Sequence, residues 1–126
     1  AAKNSTNGEG RTALMFAAMH GHVDVLRLLL ESGTDKDLAS KTDGLTALIG
    51  SAYRGHVAIV RLLLEFGADK DLVDRGGATA LMCACQGGHV EVLQLLLQAG
   101  ADKNRANGEG HTALMFAADK GRPEIL

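Results

Sequence analysis

Apolar positions along the chain fall into short helical runs separated by polar, glycine-rich stretches. In residues 23–31, Val23, Leu26, Leu29 and Leu30 share one face and Asp24, Arg27 and Glu31 the other, a pattern that predicts an amphipathic helix. Just before it, Leu14, Ala17 and Ala18 recur at helical spacing and predict a shorter helix, whose small residues admit a close neighbour. Thr12 precedes that run and is a good N-cap, because its hydroxyl can accept from an orphan N–H of the first turn. Gly21 and Gly33 stand where the two runs end, and glycine takes the left-handed helix-terminating conformation cheaply. The polar stretches carry turn signals such as Asn107-Gly108, whose residues tolerate positive φ.

The pattern recurs. Thr12, Thr46, Thr79 and Thr112 open the phrases Thr-Ala-Leu-Met, Thr-Ala-Leu-Ile, Thr-Ala-Leu-Met and Thr-Ala-Leu-Met, at spacings of 34, 33 and 33. Nine residues after each Thr stands a glycine (Gly21, Gly55, Gly88, Gly121), followed in the first three copies by His22, His56 and His89. Each of those copies continues into a Leu-Leu-Leu ridge and closes on Gly33, Gly67 or Gly100, with an Asp two residues later. Residues 1–21 match 101–121 at fifteen of twenty-one positions. Self-similarity at this period marks stacked supersecondary units, none of which can bury its apolar face alone.

These phrases resemble the ankyrin repeat, a 33-residue unit with a Thr-Pro-Leu-His-x-Ala signature. The resemblance implies a mainly α ankyrin-repeat solenoid, each unit a turn or β-hairpin followed by two antiparallel helices. It covers one domain, 1–126: a partial hairpin at 1–11, repeats at 12–45, 46–78 and 79–111, and a partial repeat at 112–126. Neither end carries a polar capping unit, so the expectation is a segment of a longer array. The sequence departs from the signature twice. Ala13, Ala47, Ala80 and Ala113 replace the Pro, removing a pre-set φ, and Met15, Ile49, Met82 and Met115 replace the His, removing a polar group near the Thr. By the resemblance, His22, His56 and His89 tie neighbouring units together by hydrogen bonds.

Composition narrows the function. Thirteen basic and fifteen acidic side chains leave a net charge of -2, which argues against the broad basic field of a sequence-independent nucleic-acid binder. The longest apolar stretch, Ala13 to Met19, is far short of the roughly 20 residues of a bilayer span, so no membrane insertion is expected. Residues 1–12 carry no apolar leader, and the two cysteines lie too close on one helix to pair. The expected setting is intracellular and cytoplasmic, which is compatible with a cleaved organelle-targeting segment. Cys85 occupies the small slot of Ala18, Ala52 and Ala118, and nothing near Cys83 in sequence lowers its pKa. Gly-Glu-Gly at 8–10 and 108–110 does not continue into a phosphate loop, and the histidines follow the repeat rather than converging. No catalytic residue, metal site or cofactor is expected, and the chain is read as no enzyme.

In ankyrin proteins the turn tips and the exposed side of each first helix line a concave face that holds the partner. By position, the resemblance assigns Glu9, Arg11, Met19 and His20 in the first unit, and Thr42, Asp43, Leu45, Tyr53 and Arg54 in the second. It assigns Arg75, Ala78, Gln86 and Gly87 in the third, and Glu109, His111, Asp119 and Lys120 in the fourth. The implied function is a non-catalytic protein–protein interaction module with another protein as partner. The alternatives are a structural subunit packed permanently in a larger assembly and a regulatory segment of a longer enzyme or channel. The second unit departs most from the repeat: it has an extra residue before Thr46, Gly50 inside a helix, and Tyr53-Arg54 at exposed positions. Gly50 is expected to let a partner approach the helix closely.

Overall fold

A computed structural model describes residues 4–8 and 10–120. Within them the chain forms seven α-helices: α1 Ala13–Met19, α2 Val23–Glu31, α3 Ala47–Arg54, α4 Val57–Glu65, α5 Ala80–Gly87, α6 Val90–Gln98 and α7 Ala113–Asp119. The expected start of a further helix after Gly121 lies outside the described residues. Helices α1, α3, α5 and α7 pack side by side in an inner layer, and α2, α4 and α6 in an outer one. The odd-numbered helices carry the small residues: Ala17, Ala18, Ser51, Ala52, Ala84, Cys85 and Ala117 are all buried. Small side chains at those positions allow the inner row its close approach.

Each inner helix starts as its Thr predicts. The hydroxyl oxygens of Thr12, Thr46 and Thr79 accept from the N–H groups of Met15, Ile49 and Met82 at 3.2 Å, and Thr112 from Met115 at 3.4 Å. The cap survives the loss of the signature Pro and His, and the Met15 sulfur itself accepts from the Thr12 N–H at 3.4 Å. The glycines that separate the paired helices take positive φ, at Gly21, Gly55 and Gly88, as do Gly33, Gly67 and Gly100 after the outer helices. The hairpins are turns closed by single bridges, Val73 with Thr79 and Ala106 with Thr112, and no longer strand forms among the described residues.

Burial depends on having a neighbour. Leu62 in α4 is 3% exposed against the preceding unit, while its counterpart Leu28 in α2 is 67% exposed. Full burial of such a side chain contributes about 1.5–3 kcal/mol, against about 1 kcal/mol for a typical hydrogen bond, so packing between units supplies most of the stability. Hydrogen bonds set the pitch. Asn4, Asp37 and Asp71 accept through their side chains from the N–H groups of Asp35, Asp69 and Asp102, each at 2.9 Å, along one edge. At the turn tips, the Arg75 N–H donates to the Asp43 carbonyl and the Gly108 N–H to that of Gly76. Between these edges, Nε2 of His56 lies 3.0 Å from the Met19 carbonyl and Nε2 of His89 lies 2.9 Å from that of Tyr53. A carbonyl only accepts, so each Nε2 carries the proton.

That contact explains why Gly55 admits no side chain. Its φ is +75°, and a Cβ there would come within 2.4 Å of the His89 ring. Gly110 has a similar φ of +82° with nothing within 4 Å of a Cβ. Gly55→Ala is therefore expected to lower stability by about 2–3 kcal/mol, combining backbone strain with the displaced histidine. Gly110→Ala should cost only the strain, about 1–2 kcal/mol. Urea unfolding of both variants measures the difference, and equal losses would mean that the histidine contact contributes nothing.

Candidate functional site

The inner helices and the turn tips form one face of the array. Of the assigned residues, His20, Thr42, Tyr53, Arg54, Arg75, Gln86, Gly87, Glu109, His111, Asp119 and Lys120 are exposed. Arg11, Asp43, Leu45 and Ala78 are half-buried, Met19 is buried, and Glu9 lies outside the described residues. Tyr53, at 57% exposure, is the most open aromatic ring, and Phe16 follows at 40% with its ring stacked 6.4 Å from that of His20. In the fourth unit the ring of Phe116 meets that of His111 edge-on at 5.9 Å.

Met19 and Gly50 correct the sequence reading. Met19 is not open surface. Its side chain folds over the next unit's inner helix, and its Cγ lies 3.0 Å from where a Cβ on Gly50 would stand. Gly50 is itself buried, so the space it leaves is taken by Met19 rather than by a partner. The Met19 sulfur accepts from Arg11 Nη1 at 3.1 Å, and its carbonyl receives His56 and, at 3.4 Å, Arg54 Nη1. One residue thus joins the tip of the first unit to the inner helix of the second.

The extra residue of the second unit has a definite consequence. In the other tips an Asn or Asp closes the turn on the residue four positions on: Asn7 with Arg11, Asp74 with Ala78, Asn107 with His111. The Asp74 and Asn107 side chains accept two tip N–H groups each, at 2.9 Å. In the second unit Ser40 closes on Leu45, five positions on. Asp43 supplies the acceptor instead, taking the Leu45 N–H at 3.1 Å and the Ser40 hydroxyl. Its other oxygen meets Arg11 Nη2 at 2.7 Å. The sequence held a signal for this ion pair: the extra residue coincides with loss of Asn or Asp at position 40 and an Asp three residues later.

Burial pushes the Asp43 carboxyl up, but the Ser40 and Leu45 hydrogen bonds and the Arg11 charge outweigh it and hold the group below the usual carboxylate range. Cys83 and Cys85 go the other way. Burial, with the nearby charges of Asp74 and Cys85, pushes the Cys83 thiol up to about 12, and burial alone raises Cys85 to about 11. Both stay protonated at neutral pH and serve as small core side chains. Among the described residues no three His, Cys, Asp or Glu side chains are grouped to hold a metal ion, and no helix is long and apolar enough to cross a membrane. A cavity of about 570 Å³ lies off this face, lined by Leu81, Leu93, Leu97, Ala101, Ala113 and Leu114 of the repeat framework and by the 102–104 turn.

Comparison with known proteins gives two findings. A family model described as "Ankyrin repeats" matches the chain in three overlapping copies, at residues 1–74, 32–107 and 67–126. The chain is also similar to the curated proteins named NAD-capped RNA hydrolase NUDT12 of Homo sapiens, Pongo abelii and Macaca fascicularis, at 44% identity over 39 residues. That match takes in 31% of this chain and 8% of the length of each relative.

Two predictions follow from the geometry. Alanine is favoured over glycine inside a helix by about 1 kcal/mol, so Gly50→Ala should stabilise the protein by about that amount in a Met19→Ala background. With Met19 present the contact should cancel the gain, a coupling of about 1 kcal/mol in a double-mutant cycle. The same gain in both backgrounds would separate the two residues. For Asp43, a lowered folded-state pKa means a contribution present above the unfolded value of about 3.9 and lost as pH falls through the folded one. Below about pH 4 the stability of the wild type should therefore converge toward that of Asp43→Asn in urea titrations, and a constant difference down to pH 2.5 would contradict the assignment.

Proposed function

Since the chain belongs to the ankyrin-repeat family, whose repeats are generally protein-interaction modules, we propose that it binds another protein through its concave face and catalyses no reaction. The observation that carries this reading is the Tyr53-Arg54 pair. Tyr and Arg are enriched among residues that dominate binding energy, and Tyr53 is exposed beside Arg54 on the face that the stacked inner helices present. Tyr offers a large, rigid contact area at low entropic cost. The framework supports it, because the Tyr53 carbonyl is held by His89 and the backbone beneath the ring is fixed before a partner arrives. The buried, protonated thiols and the tips committed to internal hydrogen bonds leave shape and surface chemistry as the means of action.

A second reading, a regulatory segment attached to an enzyme, draws on the likeness to NUDT12, named as a hydrolase. Its support is narrow, since 39 residues are little more than one repeat.

Photo-crosslinking tests the leading reading. A photoreactive phenylalanine analogue at position 53 should capture a partner protein, whereas one at Glu65, on the outer layer, should not. Competition with unlabelled variants then measures the contact. Tyr53→Ala should compete about thirtyfold less well than wild type, the loss expected of a hot spot at about 2 kcal/mol, and Gln86→Ala nearly as well as wild type. Capture from position 65 but not from 53 would place the partner elsewhere.

A further inference from the structure

Among the described residues on the concave face of the first three units, Arg11, Lys41, Arg54 and Arg75 outnumber Asp43 and Asp74, although the whole chain is net negative; Glu9, assigned to the same face, lies outside the described residues. Its charged groups are linked by consecutive contacts. Arg75 Nη2 donates to the Lys41 carbonyl at 2.9 Å, and the Arg75 N–H donates to the Asp43 carbonyl. Asp43 pairs with Arg11, Arg11 reaches the Met19 sulfur, and the Met19 carbonyl receives Arg54. The links are 2.7–3.4 Å long and run through backbone as well as side-chain atoms, so these residues lie along one stretch of surface. Lys41, Arg54 and Arg75 are exposed on it, and Tyr53 stands beside Arg54.

The carboxylates on the same described surface are engaged by donors of the chain itself, although the Asp43 side chain is still 39% exposed. Asp43 has one oxygen on Arg11 and the other on Ser40 and Leu45, and Asp74 accepts from the Gly76 and Ala78 N–H groups. Both are half-buried. The guanidinium groups, by contrast, donate to backbone carbonyls, Arg54 at 3.4 Å and Arg75 at 2.9 Å, out of the five N–H donors that each carries. At the fourth unit the balance changes, because Glu109 and Asp119 are exposed there beside His111 and Lys120.

We propose that this patch docks an acidic peptide segment of the partner protein, with carboxylates on Arg54, Arg75 and Lys41 and an apolar side chain against Tyr53. The inference rests on the concave-face reading above and adds the partner's chemistry to it. Planar guanidinium groups favour carboxylates by bidentate pairing, and Tyr53, exposed next to Arg54 on the inner helix, supplies apolar area. The mixed charge of the fourth unit limits the segment to the first three.

The test uses the full chain and a fluorescein-labelled peptide of alternating Glu and Leu, read by fluorescence anisotropy. The Glu peptide should bind at 50 mM salt and lose most of its affinity at 500 mM, where exposed charges are screened within a few ångströms. The same peptide with Gln in place of Glu should bind at least tenfold more weakly. Arg54→Gln and Arg75→Gln should each weaken the Glu peptide about three- to fivefold, and Lys70→Gln, on the opposite edge, should change nothing. Circular dichroism melts check that each variant is folded; should Arg54→Gln unfold, Arg75→Gln, at an exposed tip, still decides. Equal binding of the Glu and Gln peptides would overturn the proposal, as would wild-type affinity in both arginine variants. Tighter binding of a single-stranded oligonucleotide of equal charge would overturn it too, by making the patch a general polyanion surface. Because crosslinking from position 53 does not depend on charge, capture there without binding of the Glu peptide would refute the acidic partner and leave the concave-face reading intact.

Discussion

Successive units approach until the backbone of one touches that of the next, and the rest of the structure depends on that distance. A Cβ on Gly44 would fall 2.8 Å from the Arg75 nitrogen, and one on Gly77 the same distance from the Gly108 nitrogen. At that separation the tips hydrogen-bond across units, and His56 and His89 reach the Met19 and Tyr53 carbonyls of the unit before. The apolar flanks of the outer helices then close out water. Leu28 and Leu62 hold the same place in their units, and only the one with a preceding unit is buried. The fold is a translation repeated, and a side chain's burial depends on the neighbouring unit: Leu95, the third copy of this position, is half-buried.

Repetition also sets where the histidines and cysteines stand. Side chains at one repeat position stand apart by the stacking distance, so the repeated histidines do not converge, and His56 and His89 form rungs between units. The thiols of Cys83 and Cys85 point into the inner layer, where desolvation disfavours the thiolate that a nucleophile requires. What varies between units is the rim: tip residues and the last turn of each inner helix. There the second unit differs most, through an Asp43 that crosses to Arg11 and a tyrosine and arginine left open to solvent.

The exceptions of that unit do separate jobs. Gly50 and the extra residue are internal accommodations, one making room for Met19 and the other relocating a carboxylate to pair with the first unit. Tyr53 and Arg54 face outward. Grouping all of them as one contact surface treats departures from a repeat as equivalent, and packing shows that they are not.

The sequence by itself determined the helices, their caps and their order. Threonine, glycine and the helical spacing of apolar residues act within one unit, and the 33-residue period repeats each signal until no other assignment fits. The ties through His56 and His89 were expected from the resemblance to the ankyrin repeat, and the structure shows them at those two of the three repeated histidines. Only the tertiary structure decided which rim residues are surface. Met19, Tyr53 and Gln86 occupy one repeat position, yet Met19 is buried and the other two exposed, because the residue that faces Met19 from the next helix is Gly50. Arg11, assigned by position to the partner-facing rim, is half-buried and paired with Asp43 of the widened second tip. Burial at the rim depends on the size of a side chain one unit away, thirty or more residues along the chain, and local pattern does not carry that information.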